Sequence, residues 1–257
     1  MASGDSGGRS GTGGRNGRGG GSGRNGRGGG GRGGGGDAVR APERPQLALP
    51  EEPEVFAETA RLAPGEDYDG VEFVSRDLTG ADASGASFLD CVLRGCVLDE
   101  AGLRGARLLD SLLAEVRGVG VQLMDAELRD VEISDARLGG AQCGGASLTR
   151  VLVRGGKIDY LNLRQARLVD VAFEGCVLVE PDFGGARLER VSFDDCELRG
   201  PDLTGATLRE VDLRGVSSFE PGRGVDRLAG AVISPGQLVE LAPLLAAQLG
   251  VRVLPRA

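Results

Sequence analysis

Between residues 196 and 215 a leucine falls at every fifth position, Leu198, Leu203, Leu208 and Leu213, with mostly charged or small residues between them. A period of five fits neither an amphipathic helix, which repeats near 3.6, nor a half-buried strand, which repeats at 2. The frame extends backward without a slip: from Val71 to Gly215 the chain divides into 29 pentapeptides. The third residue of each is Leu, Phe, Ile, Val, Ala or Cys, with Gly118 the sole exception. The first residue is nearly always Ala, Val, Cys or another small or apolar residue.

This string, with units such as RDLTG, CVLDE and AGLRG, resembles the A-[DN]-L-x-x motif of the pentapeptide-repeat family over about 145 residues. The resemblance implies an all-β solenoid, a right-handed quadrilateral (four-sided) parallel β-helix. Each pentapeptide would form one side, with its first and third residues inward and the other three outward. Residues 20 apart should then share one environment, and the sequence sorts itself in that way. Ala86, Ala106, Ala126, Ala146, Ala166, Ala186 and Ala206 form one column of first positions. Val71, Cys91, Ser111, Val131, Val151, Val171, Val191 and Val211 form the next, wider one. Phe73, Phe173 and Phe193 fall at the third position of that valine side. Stacked apolar columns and bonds between coils spaced ~4.8 Å apart stabilise such a rod additively. The repeats predict about seven coils, a rod roughly 34 Å long.

On either side of the frame the grammar changes. Residues 1–36 contain 20 glycines and a near-duplicate, GRNGRGGGS followed by GRNGRGGGG. A segment this poor in apolar side chains predicts a disordered tail. GSGRNG at 21–26 formally fits a dinucleotide-binding G-x-G-x-x-G, but no strand pattern precedes it and no helical pattern follows. Residues 37–70, with prolines at 42, 45, 50, 53 and 64 and many acids, read as an extended strap leading into the coil. Residues 216–257 read as a C-terminal cap with a helix over about 235–249: Ser234 fits an N-cap, Pro235 the first helical position and Gly250 the terminal glycine. Pro243 predicts a kink or restart. Leu238, Val239, Leu241, Leu244, Leu245 and Leu249 spread over more than one face of that helix. It therefore either caps the open end of the solenoid or caps it and also forms a homodimer contact, with Leu241, Leu244, Leu245 and Leu249 the candidate residues.

Composition narrows the chemistry. The chain of 257 residues carries no histidine and no tryptophan, so it offers no Ser-His or Cys-His pair and no imidazole metal site. P-loop and kinase-like strings are absent as well. The expectation is a protein that is not an enzyme and uses no cofactor or metal. Five cysteines, no apolar leader and no long apolar run predict reduced thiols in a soluble, cytoplasmic protein without a membrane partner. Cys176 and Cys196 lie 20 apart and should stack, with Cys96 on the same side; all read as core packing.

Charge is segmented rather than uniform. Residues 1–40 carry 7 Arg and 2 acids, residues 41–70 carry 2 Arg and 8 acids, and residues 71–215 carry 17 basic and 25 acidic groups. The basic tail is a candidate for weak, charge-driven contact with nucleic acid. Two outward features are candidates for recognition. One is an acidic ladder at the fifth position of the alanine side: Asp90, Asp110, Asp130, Asp170 and Glu210, interrupted by Arg150 and Arg190. The other is Lys157 with Tyr160, in GKIDYLNLR at 156–164, where an exposed aromatic would anchor a protein partner or the segment would form a local bulge. The family resemblance implies a non-catalytic, rigid interaction surface. It also implies an alternative, since some members are DNA mimics that modulate or protect type II topoisomerases such as DNA gyrase. B-DNA carries about one charge per 1.7 Å, so a 34 Å mimic would need about 20 negative charges. The net charge of −8 falls well short.

Overall fold

The computed structural model describes residues 39–220 and 222–254; the disordered-tail and nucleic-acid expectations for residues 1–36 lie outside them. Within it, every fifth residue from Gly65 to Glu210 has φ between 48° and 71°, the left-handed region. Each such residue turns the chain through a corner, so each pentapeptide becomes one short, straight side. Gly reaches this conformation without a Cβ penalty, and Asp and Asn reach it more readily than other side chains. Corner geometry therefore accounts for much of the Gly and Asp at the fifth position.

Four sides make one tier, and successive tiers pair in parallel with a 20-residue register, as in Leu148 with Leu168 and Leu168 with Leu188. The alanine and valine sides are joined by bent strands, Glu127–Ser134, Ser147–Arg154, Arg167–Glu174 and Arg187–Asp194, each turning at its left-handed fifth residue. The third side, whose first positions run Cys96, Val116, Ala136, Gly156, Cys176, Cys196 and Val216, forms a separate six-stranded sheet from Arg117–Val119 to Val216–Glu220, which Val97 joins by a single bridge. On the fourth side tiers touch through single bridges, from Asp82 with Gly102 to Asp182 with Asp202. There the second-position Asp or Asn folds back on its own main chain: Asp82 accepts from the Ser84 amide, Asn162 from Arg164 and Asp202 from Thr204, at 2.8–3.0 Å. Such local bonds compete with ladder pairing and favour turns.

The inward positions form one continuous apolar column. All seven stacked alanines are buried, and the Phe173 and Phe193 rings stack at 4.9 Å and 3°. The sheet runs through ten strands, about nine turns rather than the seven expected from the repeats. The extra turns come from residues outside the five-residue frame. At the N-terminal end Glu54–Val55 pairs with Val71 and Glu72, and Phe56 packs 4.5 Å from Phe73. At the other end the chain coils on past Gly215, with a one-residue bulge opposite Cys196 and Glu197, until Ala231 and Val232 pair with Val211 and Asp212. An open solenoid edge offers unpaired N–H and C=O groups to any chain that follows. At ~4.8 Å per tier the nine spacings give a rod of roughly 43 Å.

The helix α1, Pro235–Gln248, closes the C-terminal end. Ser234 and Gln237 form a reciprocal capping box, and the Gln237 amide also donates to the Leu213 carbonyl at 2.8 Å and the Val216 carbonyl at 3.3 Å. Gln237 thus satisfies main-chain acceptors of the last coil, and Leu241 is the buried leucine of the helix. Pro243 neither breaks nor restarts the helix; it withholds only its own N–H from the ladder. No helix among the described residues is long and apolar enough to cross a membrane.

Candidate functional site

The acidic ladder exists as a column of corners, but none of its members stands fully exposed. Asp130 and Asp170 are buried, and Asp90, Asp110 and Glu210 are half-buried. Two causes act together. The interrupting arginines fold onto the acids of the preceding tier: Arg150 pairs with Asp130, and Arg190 grips Asp170 through two bonds of 2.8 and 2.9 Å. The strap then lies over the column. Arg40 pairs with Glu210 at 3.5 Å, Arg44 pairs with Glu174 at 2.6 Å, and the Glu43 amide donates to Asp170 at 3.2 Å.

The strap follows a simple register. Val39, Pro42 and Pro45, three residues apart, turn toward the rod, followed by Leu47 and Leu49. A polyproline II chain repeats every three residues and advances about 9.3 Å in that repeat. Two tiers span about 9.6 Å. Arg40 at Glu210 and Glu43 at Asp170, three residues and two tiers apart, show that match directly. Proline spacing was the signal in the sequence; the surface it would cover was not readable there.

Electrostatics divides the ladder into two parts. Burial pulls the Asp170 carboxyl up, but the Arg190 bonds, the Glu43 amide and the charges of Arg190 and Arg150 outweigh it and hold it below its ordinary value. At the other end Asp90 is raised, by burial first and then by the neighbouring carboxylates of Asp110 and Asp69. Among the described residues no cation pairs with Asp90 or Asp110, whereas Asp130, Asp170 and Glu210 face Arg150, Arg190 and Arg40.

Lys157 and Tyr160 share a tier of the third side. Tyr160 is a left-handed corner residue, 58 % exposed, and Lys157 pairs with Asp159 at 2.8 Å. Gly156 has a φ of 75°, and a Cβ there would lie 2.2 Å from the Ala136 carbonyl oxygen, so the main chains of two tiers approach closely at that point. Directly in register with Lys157 stand Arg137 and, one tier further, Arg117. This basic row was not singled out in the sequence; its residues share the second position of one side at 20-residue spacing.

The remaining candidates divide between core and surface. All five cysteines are buried and free. Burial pushes the Cys91 thiol up to about 11 and the Cys143 thiol to about 12; contact with Cys196, together with burial, raises that of Cys176. All five fill space in the core, and Cys91, Cys96, Cys143 and Cys176 are held in the protonated form. Of the helix leucines, Leu241 is buried and Leu245 half-buried, whereas Leu244 and Leu249 are exposed. An interior void of about 40 Å³ near Leu98 and Leu138 is lined by apolar side chains alone and is too small for a metabolite.

A family model for pentapeptide repeats matches residues 77–111, 161–195 and 182–215, in eight copies. No curated protein matches the sequence. Among solved structures, a trypsin-treated form of QnrB1, described as a plasmid-mediated fluoroquinolone resistance protein, is 20% identical over 79% of this chain and 97% of that chain, with a TM-score of 0.38. Full-length QnrB1 is 17% identical over 77% and 95%, with a TM-score of 0.29. HetL, a pentapeptide repeat protein involved in heterocyst differentiation regulation from the cyanobacterium Nostoc sp. strain PCC 7120, is 21% identical over 69% and 93%, with a TM-score of 0.28.

Proposed function

From the premise that the chain is a pentapeptide-repeat protein, we propose that it acts without catalysis, as a rigid surface that binds another macromolecule. One observation carries this reading. Apart from Ser111 and a few glycines such as Gly118, the buried inward positions of the coil carry apolar side chains along its length, so the groups able to recognise anything stand outward, in fixed columns one tier apart. Such a rod presents charge and aromatic groups without an ordering cost at the moment of binding. The five buried, unpaired thiols support a reducing, cytoplasmic setting. The test is cross-linking of the full chain in cells, followed by mapping of the linked residues. Links from a single protein to outward positions of the coil are expected; links confined to residues 1–38 would refute the scaffold reading.

The topoisomerase reading is favoured by a narrower observation, the neighbouring acids Asp69, Asp90 and Asp110 near the N-terminal end of the coil, which make no ion pair among the described residues. In this reading that patch occupies part of a DNA-binding surface of DNA gyrase. Purified gyrase would then lose supercoiling activity to the full chain in competition with DNA, and Asp90→Asn with Asp110→Asn would abolish the effect. Gyrase activity unchanged by an excess of the chain would eliminate it.

A further inference from the structure

Gly118 is the sole inward third position without a side chain, and the third side is dented there. The wall sits so close to the preceding tier that a Cβ on Gly118 would lie 2.9 Å from the Leu98 carbonyl carbon and 3.0 Å from Val121 Cγ2. One tier on, Gly139 leaves an outward position bare, and Leu138 is half-exposed although its column neighbours Leu98 and Ile158 are buried. An open groove of about 610 Å³ results, with Arg117, Arg137 and Lys157 along it and the exposed Val119 within it.

Three cations in register on adjacent strands repel one another. Lys157 has Asp159, but Arg117 and Arg137 make no ion pair among the described residues. The nearby Asp99 carboxylate is turned to the Val119 amide at 2.8 Å. This is a basic, partly apolar groove on a chain whose net charge is −8.

Resting on the scaffold reading above, we propose that this groove binds an extended acidic segment of a protein partner. Its carboxylates lie on Arg117 and Lys157 with Arg137 between them, and an apolar side chain of the segment sits against Val119 and Leu138. Arg117 and Lys157 are two tiers apart, about 9.6 Å. Acidic residues three apart in a polyproline II chain are about 9.3 Å apart. The strap shows that this rod accepts such a chain in that register, with the charges reversed. Tyr160, at the edge of the same side, offers a ring for a proline of the segment. A nucleic acid suits the groove less well, because exposed Glu100, Glu115, Asp135 and Glu180 occupy the corners along this side and repel a long polyanion.

The test is fluorescence anisotropy of the full chain with a labelled peptide of repeating Glu-Pro-Val, at low ionic strength. Saturable binding is expected, lost when Gln replaces Glu in the peptide, and weakened about tenfold or more by Arg117→Glu with Arg137→Glu at unchanged circular dichroism. The single exchange Arg137→Gln, which adds no repulsion, serves if the double variant does not fold, and should weaken binding measurably. Absence of saturation at about 1 mM peptide, equal binding by the variants, or competition by single-stranded DNA as strong as that by unlabelled peptide would each overturn the assignment. Cross-links to a partner on another side, with the acidic peptide ignored, would overturn the groove while leaving the scaffold reading intact.

Discussion

Replacing Gly156 with Ala tests whether the close approach of two tiers is built into the fold. A new Cβ meets the Ala136 oxygen at 2.2 Å, its nitrogen at 2.7 Å and its carbonyl carbon at 3.0 Å, all main-chain atoms. Relief requires the tiers to part by more than about 1 Å at that point. The same Ala136 oxygen accepts the Lys157 amide at 2.9 Å, so parting also strains a ladder bond. The left-handed backbone costs alanine about 1–2 kcal/mol, overpacking about 1–3 and the weakened bond about 1. A loss of about 3–6 kcal/mol is expected. Gly105→Ala is the control: its φ is 63°, but nothing lies within 4 Å of the added carbon, so only the left-handed cost of about 1–2 kcal/mol should remain. Guanidinium unfolding followed by far-UV circular dichroism measures both, and hydrogen exchange should localise the Gly156→Ala defect to the tiers around Ala136 and Lys157. Equal losses in the two variants would refute the account, because backbone conformation alone would then explain both.

Ala146→Leu, in the buried alanine column, should cost about 1–3 kcal/mol, whereas Arg167→Ala, outward and exposed, should cost under about 0.5; equal effects in urea titration would overturn the inward and outward assignment. The strap should release in acid before the coil unfolds. Asp170 and Glu174 are both held below their ordinary values of 3.8 and 4.5, so their contribution is complete above those values and is lost as pH falls through the lowered ones; protease cleavage within residues 39–50 should therefore appear only at more acid pH. Gln237→Ala leaves the Leu213 and Val216 carbonyls without their side-chain donor and should fray the last turn by about 1–3 kcal/mol, read by hydrogen exchange at residues 211–216. Leu244→Asp with Leu249→Asp, at exposed positions, should leave the monomer folded and dissociate any dimer; sedimentation of a parent that is strictly monomeric at micromolar concentration would eliminate the dimer contact.

Much of the candidate surface was legible because the coil repeats. Asp90, Asp110, Asp130, Asp170 and Glu210 could be placed in one column from spacing alone, and so could Lys157 beside Tyr160. Their accessibility could not. Asp170 lies under a segment 127 residues away in the chain, and no local pattern marks that pairing. Gly118 was visible as an irregularity, yet a missing side chain leaves either a void or a collapsed wall, and only packing against Leu98 and Val121 decided for the wall. Gln237 was overlooked because its capping box accounts for it locally, while its bonds to Leu213 and Val216 span a whole turn of the coil.

What the sequence determined by itself is the cross-section: five residues to a side, four sides to a tier, alanines in one corner of the core and valines in the next. That information is local, since each tier rests on the one 20 residues before it and the same short-range sterics recur at every level. The tertiary structure decided where the coil stops, what its strap covers and which outward groups remain free. Those outcomes depend on open sheet edges that template residues outside the frame, and on contacts between distant segments whose register emerges only once the tiers are stacked.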